Sequence, residues 1–251
     1  MSVLRIQNLS KHFGGVAAVS GVNIEVPPGK VTGLIGPNGA GKTTLINLIT
    51  GVLTVSEGSI RFGDQDITKV SAHKVARAGI TRTFQNIRLL TEASVIDNVM
   101  IGFYRNEKTS GLASLLGLPS ARRETASLRE RAHALLERFG MSKFADHEAG
   151  GLAYGHQRRV EMMRALASNP SLILLDEPVA GMNDVEAGEL GEIFRGLARE
   201  GMGVLLIEHN MRFVMNLCDY IYVLDSGRQI ASGTPDQVIN DPAVITAYLG
   251  S

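Results

Sequence analysis

Three stretches of the chain are apolar at nearly every position: Val31-Thr32-Gly33-Leu34-Ile35, Leu172-Ile173-Leu174-Leu175 and Val204-Leu205-Leu206-Ile207. Runs this short and uniform predict strands covered on both faces, as in the middle of a parallel sheet. Residues 3–9 and 22–26 alternate apolar with polar positions instead, which predicts strands with one buried face. Between them, Phe13-Gly14-Gly15 predicts a turn that presents an aromatic ring, and Pro27-Pro28-Gly29 closes the second strand. Residues 58–62, 80–84 and 221–224 complete the strand pattern, with a short helix over 72–78. From about residue 86 to residue 151 the pattern turns helical with polar connections. Leu128, Ala132, Leu135, Leu136 and Phe139 share one face of a helix that Gly140 closes, while Arg129, Glu130, Arg131 and Glu137 cover the rest. Further helices are predicted over 160–167 and 184–199. A turn at Ser226-Gly227 opens a last hairpin, and a terminal helix ends in Ala247-Tyr248-Leu249-Gly250. Residues 105–123 carry several basic side chains and read as a solvated connection.

A chain of 251 residues has room for a substantial core, and strands alternating with helices indicate one α/β domain with a subdomain. Lys and Arg number 25 against 25 Asp and Glu, which gives none of the basic excess of a nucleic-acid binder. The single cysteine, Cys218, permits no internal disulfide and reads as a small buried hydrophobe. No basic-then-apolar leader opens the chain and no apolar run is long enough to span a bilayer. A soluble chain is therefore expected, reaching any membrane through a partner.

The candidate chemistry centres on Gly36-Pro37-Asn38-Gly39-Ala40-Gly41-Lys42-Thr43, which fits the pattern G-x-x-x-x-G-K-[ST]. An apolar run precedes it, and Thr44-Leu45-Ile46-Asn47-Leu48-Ile49-Thr50 follows with helical spacing. Strand, glycine loop and helix is the context in which this pattern binds phosphate. The glycines let backbone N–H groups turn toward an anion, and the helix N-terminus adds unpaired donors and its dipole. Lys42 would reach the β- and γ-phosphates, and Thr43 would offer a hydroxyl to Mg²⁺. Such a chain binds a nucleoside triphosphate. Asp176-Glu177-Pro178 follows the second apolar run, where open α/β sheets bind ligands. Two such acids can cap a helix; beside a phosphate loop, Asp176 holding Mg²⁺ and Glu177 polarising a water is the better reading.

These motifs, with Leu152-Ala153-Tyr154-Gly155-His156-Gln157-Arg158-Arg159 between them and Glu208-His209 after them, resemble the ATP-binding subunits of ABC transporters over essentially the whole chain. The Leu-Ala-Tyr-Gly tract, Thr83-Phe84-Gln85-Asn86-Ile87-Arg88-Leu89 and the ending Ala247-Tyr248-Leu249-Gly250 bring the likeness closest to the ATPase of branched-chain amino-acid importers. The resemblance implies a P-loop NTPase core of the RecA-like kind, with a mostly parallel sheet. It adds an N-terminal antiparallel β part and an inserted helical subdomain. The core would take residues 1–85 and 157–251, and the helical subdomain 86–156, ending in the signature loop.

It also implies roles: Phe13 stacking on adenine, Gln85 meeting Mg²⁺ and the attacking water, and His209 contacting the γ-phosphate. A core phenylalanine, a surface glutamine and a structural histidine are the alternatives. Ala153, Tyr154, Gly155 and His156 would close over ATP held by a second ATPase subunit, while Thr44 adds to the first chain's own site. Ala153 replaces a usual serine, His156 a usual glutamine and Asn183 a usual aspartate. The implied partners are that second subunit, integral membrane permease subunits and, indirectly, an external solute-binding protein, but no nucleic acid. The implied place is the cytoplasmic face of the inner membrane. The rivals are a soluble relative acting on nucleic acid or ribosomes, the ATPase of an ABC transporter for another solute, a small-molecule kinase, and a nucleotide-gated scaffold without turnover. The signature tract and Glu208-His209 go unexplained in a kinase, and Glu177 argues against a scaffold.

Overall fold

Within residues 2–83, 87–103 and 119–249, which the computed structural model describes, the chain opens with β1 (Leu4–Phe13), β2 (Val16–Val26) and β3 (Val31–Ile35). Next come α1 (Lys42–Ile49), β4 (Glu57–Phe62), β5 (Gln65–Asp66), α2 (Ala72–Arg77) and β6 (Ile80–Arg82). Three helices follow: α3 (Val95–Ile101), α4 (Pro119–Arg138) and α5 (Tyr154–Ala167). The remainder runs β7 (Leu172–Asp176), α6 (Asp184–Arg199), β8 (Gly203–Ile207), α7 (Met211–Leu217), β9 (Tyr220–Asp225), β10 (Arg228–Gly233), α8 (Pro235–Ile239) and α9 (Pro242–Leu249).

Two compact units divide this chain. The first comprises Met1–Arg82, Ser171–Pro178 and Asp184–Ser251; the second comprises Thr83–Pro170 and Val179–Asn183. In the first, the described strands form one sheet in the order β10-β9-β3-β8-β7-β6 and another in the order β2-β1-β4-β5. The larger sheet is parallel from β9 to β6, with β10 antiparallel at its edge. The three uniformly apolar runs are its neighbouring strands β3, β8 and β7, buried at every position. Leu34, Leu174 and Leu205 from them, Leu45, Ile46, Leu48 and Ile49 of α1, and Ile6, Ile24 and Ile60 of the antiparallel sheet belong to one buried cluster. That cluster roots α1, and the loop before it, in both sheets. Cys218 is buried against β3: a side-chain carbon on Gly33 would stand 3.0 Å from its sulfur. Burial, with Asp219 adding to it, pushes the Cys218 thiol up to about 12.

In the second unit, α3 starts from Ser94, whose hydroxyl accepts the Asp97 N–H at 3.1 Å. The side chain of buried Asn98 then takes the Leu90 N–H at 2.9 Å and donates to the Leu90 and Ser94 carbonyls at 2.9 and 3.0 Å. Helices α3 and α5 approach so closely that a side-chain carbon on Gly102 would lie 2.1 Å from the Arg164 carbonyl oxygen. Arg158 and Glu161 form a buried pair at 3.2 Å, and Arg159 donates to the Phe139 carbonyl at 2.9 Å. Leu128, Ala132, Leu136 and Phe139 are buried, with Arg129, Glu130, Arg131 and Glu137 exposed, as the periodicity predicts.

Several elements differ from their sequence patterns for identifiable reasons. Strands β1 and β2 run on to a two-residue turn at Gly14-Gly15, beyond the readable alternation. Their pairing slips between Ile6 and Leu9, Leu9 and Lys11, and Lys11 and His12, and each slip interrupts the period of two. Helix α4 starts well before Leu128 because its first turns are polar and mostly exposed, leaving no apolar stripe to see. Helix α5 starts at Tyr154, not Val160, so Tyr154, Gly155 and His156 form its first turn and are not a loop. The expectations for Phe84, Gln85 and most of residues 105–123 lie outside the described residues.

A candidate nucleotide-binding site

The loop between β3 and α1 owes its shape to crowding at two glycines. Gly36 (φ 149°) and Gly41 (φ 99°) occupy backbone conformations that side chains disfavour. A carbon added to them would meet the Leu224 carbonyl oxygen at 2.0 Å and the Ala18 carbonyl oxygen at 2.7 Å. Gly39, at φ 80°, has nothing within 4 Å on that side, so the outer rim is open. The far side is braced from the β9–β10 turn, where the Gly227 N–H donates to the Ala40 carbonyl at 3.1 Å. At the start of α1 no side chain caps the helix and its first turn holds no acid. The N–H groups there are left to an anion, and Thr43 is exposed beside them.

Lys42 curls back over this loop, its ammonium donating to the Gly36 and Pro37 carbonyls at 2.6 and 2.9 Å. Burial lowers its pKa, and the charges of Glu177 and Asp176 push back upward. The sequence therefore brings one ammonium and two carboxylates, separated by more than 130 positions, into electrostatic reach.

Asp176 is the last residue of β7, paired beside Ile207 of β8, and its carboxylate is buried. Arg82 donates to it at 2.8 Å and to the Asn47 side-chain oxygen at 2.6 Å. Glu177 leaves the strand in the left-handed region, at φ 50°, with its N–H on the Ile207 carbonyl at 2.9 Å. A non-glycine residue held there costs on the order of 1–3 kcal/mol, and such strain gathers at working sites. Glu177 Oε1 stands 3.6 Å from His209 Nδ1, whose imidazole is 70% exposed. His209 is aimed by its neighbours: buried Glu208 accepts the His209 and Asn210 N–H groups at 3.0 and 3.2 Å, and Asn210 caps α7 through the Phe213 N–H at 3.1 Å.

A family model described as "ABC transporter" matches residues 19–180, and one described as "Branched-chain amino acid ATP-binding cassette transporter" matches residues 228–251. The chain belongs to the ABC transporter family. It is similar to LivG, the high-affinity branched-chain amino acid transport ATP-binding protein of Escherichia coli strain K12. The two are 43% identical across 99% of this chain and 98% of that one. The corresponding BraF protein of Pseudomonas aeruginosa is 42% identical over the same shares. Among solved structures, an ATP-binding cassette of an ABC transporter in its ADP conformation superposes with a TM-score of 0.86, at 38% identity and full coverage of both chains.

Within this ABC-family chain, Phe13 stands at the tip of the β1–β2 hairpin, 48% exposed, with the Lys11 ammonium 5.1 Å from its ring centre. It is not a core residue. In the second unit, Ala153 precedes α5 without a side-chain cap, which leaves the N–H groups of Tyr154, Gly155 and His156 to another acceptor. His156 packs its ring on Phe144 at 4.7 Å, while Tyr154 is 48% exposed. A carbon on Gly181 would stand 3.1 Å from the Tyr154 ring. The residues of the first unit suit a nucleotide with Mg²⁺. The cradle tolerates glycine alone at two points, the lysine is already held at the loop, and a hydroxyl with a carboxylate is the hard-oxygen set that Mg²⁺ takes beside phosphates. Sequence reasoning missed Arg82 and Asn47. Their signal is only an arginine near the end of a strand, and it acquires meaning through partners 94 and 35 positions away.

Proposed function

We propose that this chain is the ATP-hydrolysing subunit of an importer for branched-chain amino acids, working at the cytoplasmic face of the membrane. The observation that carries the hydrolytic reading is the convergence of Lys42, Asp176, Glu177 and His209 at the loop end of the parallel sheet. The likeness to LivG and BraF supports the solute class. Among the described residues no helix is long and apolar enough to cross a membrane. Integral permease subunits would form the path, and an external binding protein would select the solute.

In this reading Lys42 gives up the Gly36 and Pro37 carbonyls for the β- and γ-phosphate oxygens, while the loop N–H groups hold the phosphate chain. Thr43 and Asp176 would hold Mg²⁺, which when bound neutralises phosphate charge. Arg82 keeps the Asp176 carboxylate in place. Glu177 accepts a proton from the attacking water as its oxygen bonds to the γ-phosphorus and the bond to the bridging oxygen breaks. His209, steered by Glu208, contacts the γ-phosphate. Phe13 would support the base, and the family resemblance implies that Gln85, outside the described residues, would contact the Mg²⁺ and the water. A second ATPase subunit presents its own Ala153, Tyr154, Gly155 and His156 to the same γ-phosphate. ATP thus favours the closed pair through contacts that the open pair lacks.

Glu177→Gln tests this reading, since it keeps the shape and removes only the charge that orients the water. Phosphate release should fall at least about a hundredfold, with ATP affinity unchanged. The trapped ATP should convert monomer to dimer in size-exclusion chromatography with light scattering. Adding Gly155→Asp should abolish that dimer by setting a carboxylate against the γ-phosphate. Hydrolysis near the wild-type rate would overturn the assignment.

A further inference from the structure

The ring at the tip of the first hairpin does not hang free. Phe13 pairs with Val16 across the turn, and the Lys11 ammonium stands over its ring, 5.1 Å from the centre. That ammonium is itself fixed, donating to the Thr54 carbonyl at 2.8 Å and to the Thr54 hydroxyl at 3.3 Å. Two further bonds tie the same strand to the same segment. The His12 N–H donates to the Ser56 hydroxyl at 3.1 Å, and the Ser56 N–H donates to the Ser10 carbonyl at 3.0 Å. The segment is anchored in turn on α1, since the Val52 and Leu53 N–H groups both donate to the Asn47 carbonyl at 2.9 Å. Helix α1 carries the phosphate loop at its other end. Strand β2 meets that loop as well, with the Ala18 carbonyl oxygen 2.7 Å from where a side-chain carbon on Gly41 would stand. The tip of the hairpin is therefore held in a set place relative to the phosphate cradle.

An exposed aromatic side chain gives up rotamer freedom when a ligand stacks on it, and that loss is subtracted from affinity. An ammonium over one face attracts the electron-rich surface of the ring and restrains it beforehand. It also occupies that face, which leaves the opposite one for a base. We propose that Lys11 is a positioning residue for the nucleotide base, holding the Phe13 ring ready and giving it one open face. It acts through the ring and makes no contact with the phosphates. This inference rests on the reading of Phe13 as the residue on which the base stacks.

Lys11→Ala in the full chain removes the cation and its ties to Thr54. Calorimetric titration with MgADP should show affinity roughly two- to fivefold weaker, the share of one exposed cation–π contact. Inorganic tripolyphosphate with Mg²⁺ has no base to stack, so its affinity should be unchanged, which also controls for the lost positive charge. Lys11→Arg keeps a cation that donates and lies over a ring, and it should restore MgADP binding. In a Phe13→Ala background, Lys11→Ala should have no further effect. Equal MgADP affinity in Lys11→Ala overturns the proposal. A matching loss for tripolyphosphate does so too, because the effect would then lie in the fold or on the phosphates. Tighter MgADP binding also overturns it, since the ammonium would be blocking the face that the base takes. Phe13→Ala binding MgADP as tightly as the wild type would strike the stacking reading itself, and the proposal with it.

Discussion

Replacing Arg82 by methionine removes the guanidinium that pairs with Asp176. Both side chains are nearly enclosed, at 11% and 8% exposure, and they meet at 2.8 Å. Removing one partner of such a buried pair leaves the other charge poorly compensated, at about 3–5 kcal/mol. The Asn47 oxygen, held by the same guanidinium at 2.6 Å, loses its donor as well. Lys42 works the other way, since its charge acts on Asp176, so the lower end of the range applies, about 3 kcal/mol. For a chain of this length that corresponds to a fall in melting temperature of roughly 6–12 °C, read by circular dichroism without nucleotide. The decisive comparison is a double-mutant cycle. Asp176→Asn removes the stranded charge, so Arg82→Met combined with Asp176→Asn should melt higher than Arg82→Met alone. A shift below about 2 °C for the single variant, or simple additivity in the double, would show that Asp176 does not depend on Arg82.

Lys42→Ala should weaken MgATP binding by at least about tenfold, the loss of a charge-assisted contact to phosphate, while the melting temperature moves little; unchanged affinity in the folded variant would remove the phosphate-loop assignment. Phe13→Ala should weaken ATP and GTP alike, by roughly 1–3 kcal/mol for a lost stacking face, in equilibrium titrations; a loss confined to one base would make the ring part of a selective pocket.

What could be read from the sequence follows from what each signal needs. Strands β3, β7 and β8 were legible because burial on both faces leaves a run with no polar interruption. The glycine loop was legible because its chemistry depends on spacing within one segment. The hairpin of β1 and β2 was legible only up to Leu9, where the first slip in register ends the alternation. Helix α5 hid its first turn because Gly155 has poor helix propensity and a tyrosine carries no helical period by itself. Helix α3 did offer a sign, Ser94 followed three positions later by Asp97, which is the capping pattern its N-terminus uses. The left-handed backbone of Glu177 and the link from Arg82 to Asp176 leave no local trace, because both depend on where strands β6, β7 and β8 end relative to one another.

The buried thiol has a practical consequence. Cys218 is the chain's single cysteine, and with its pKa pushed up to about 12 only on the order of one molecule in 10⁵ carries a thiolate at neutral pH. Tryptophan is absent altogether. The native chain is therefore close to silent toward maleimides and toward excitation near 295 nm. A cysteine placed at Val185 or Ile239, 72% and 54% exposed, would be the lone site of labelling, and a tryptophan placed at Phe13 the lone emitter. Subunit association and filling of the site could then be followed separately, each by its own probe, in a background that contributes almost nothing to either signal.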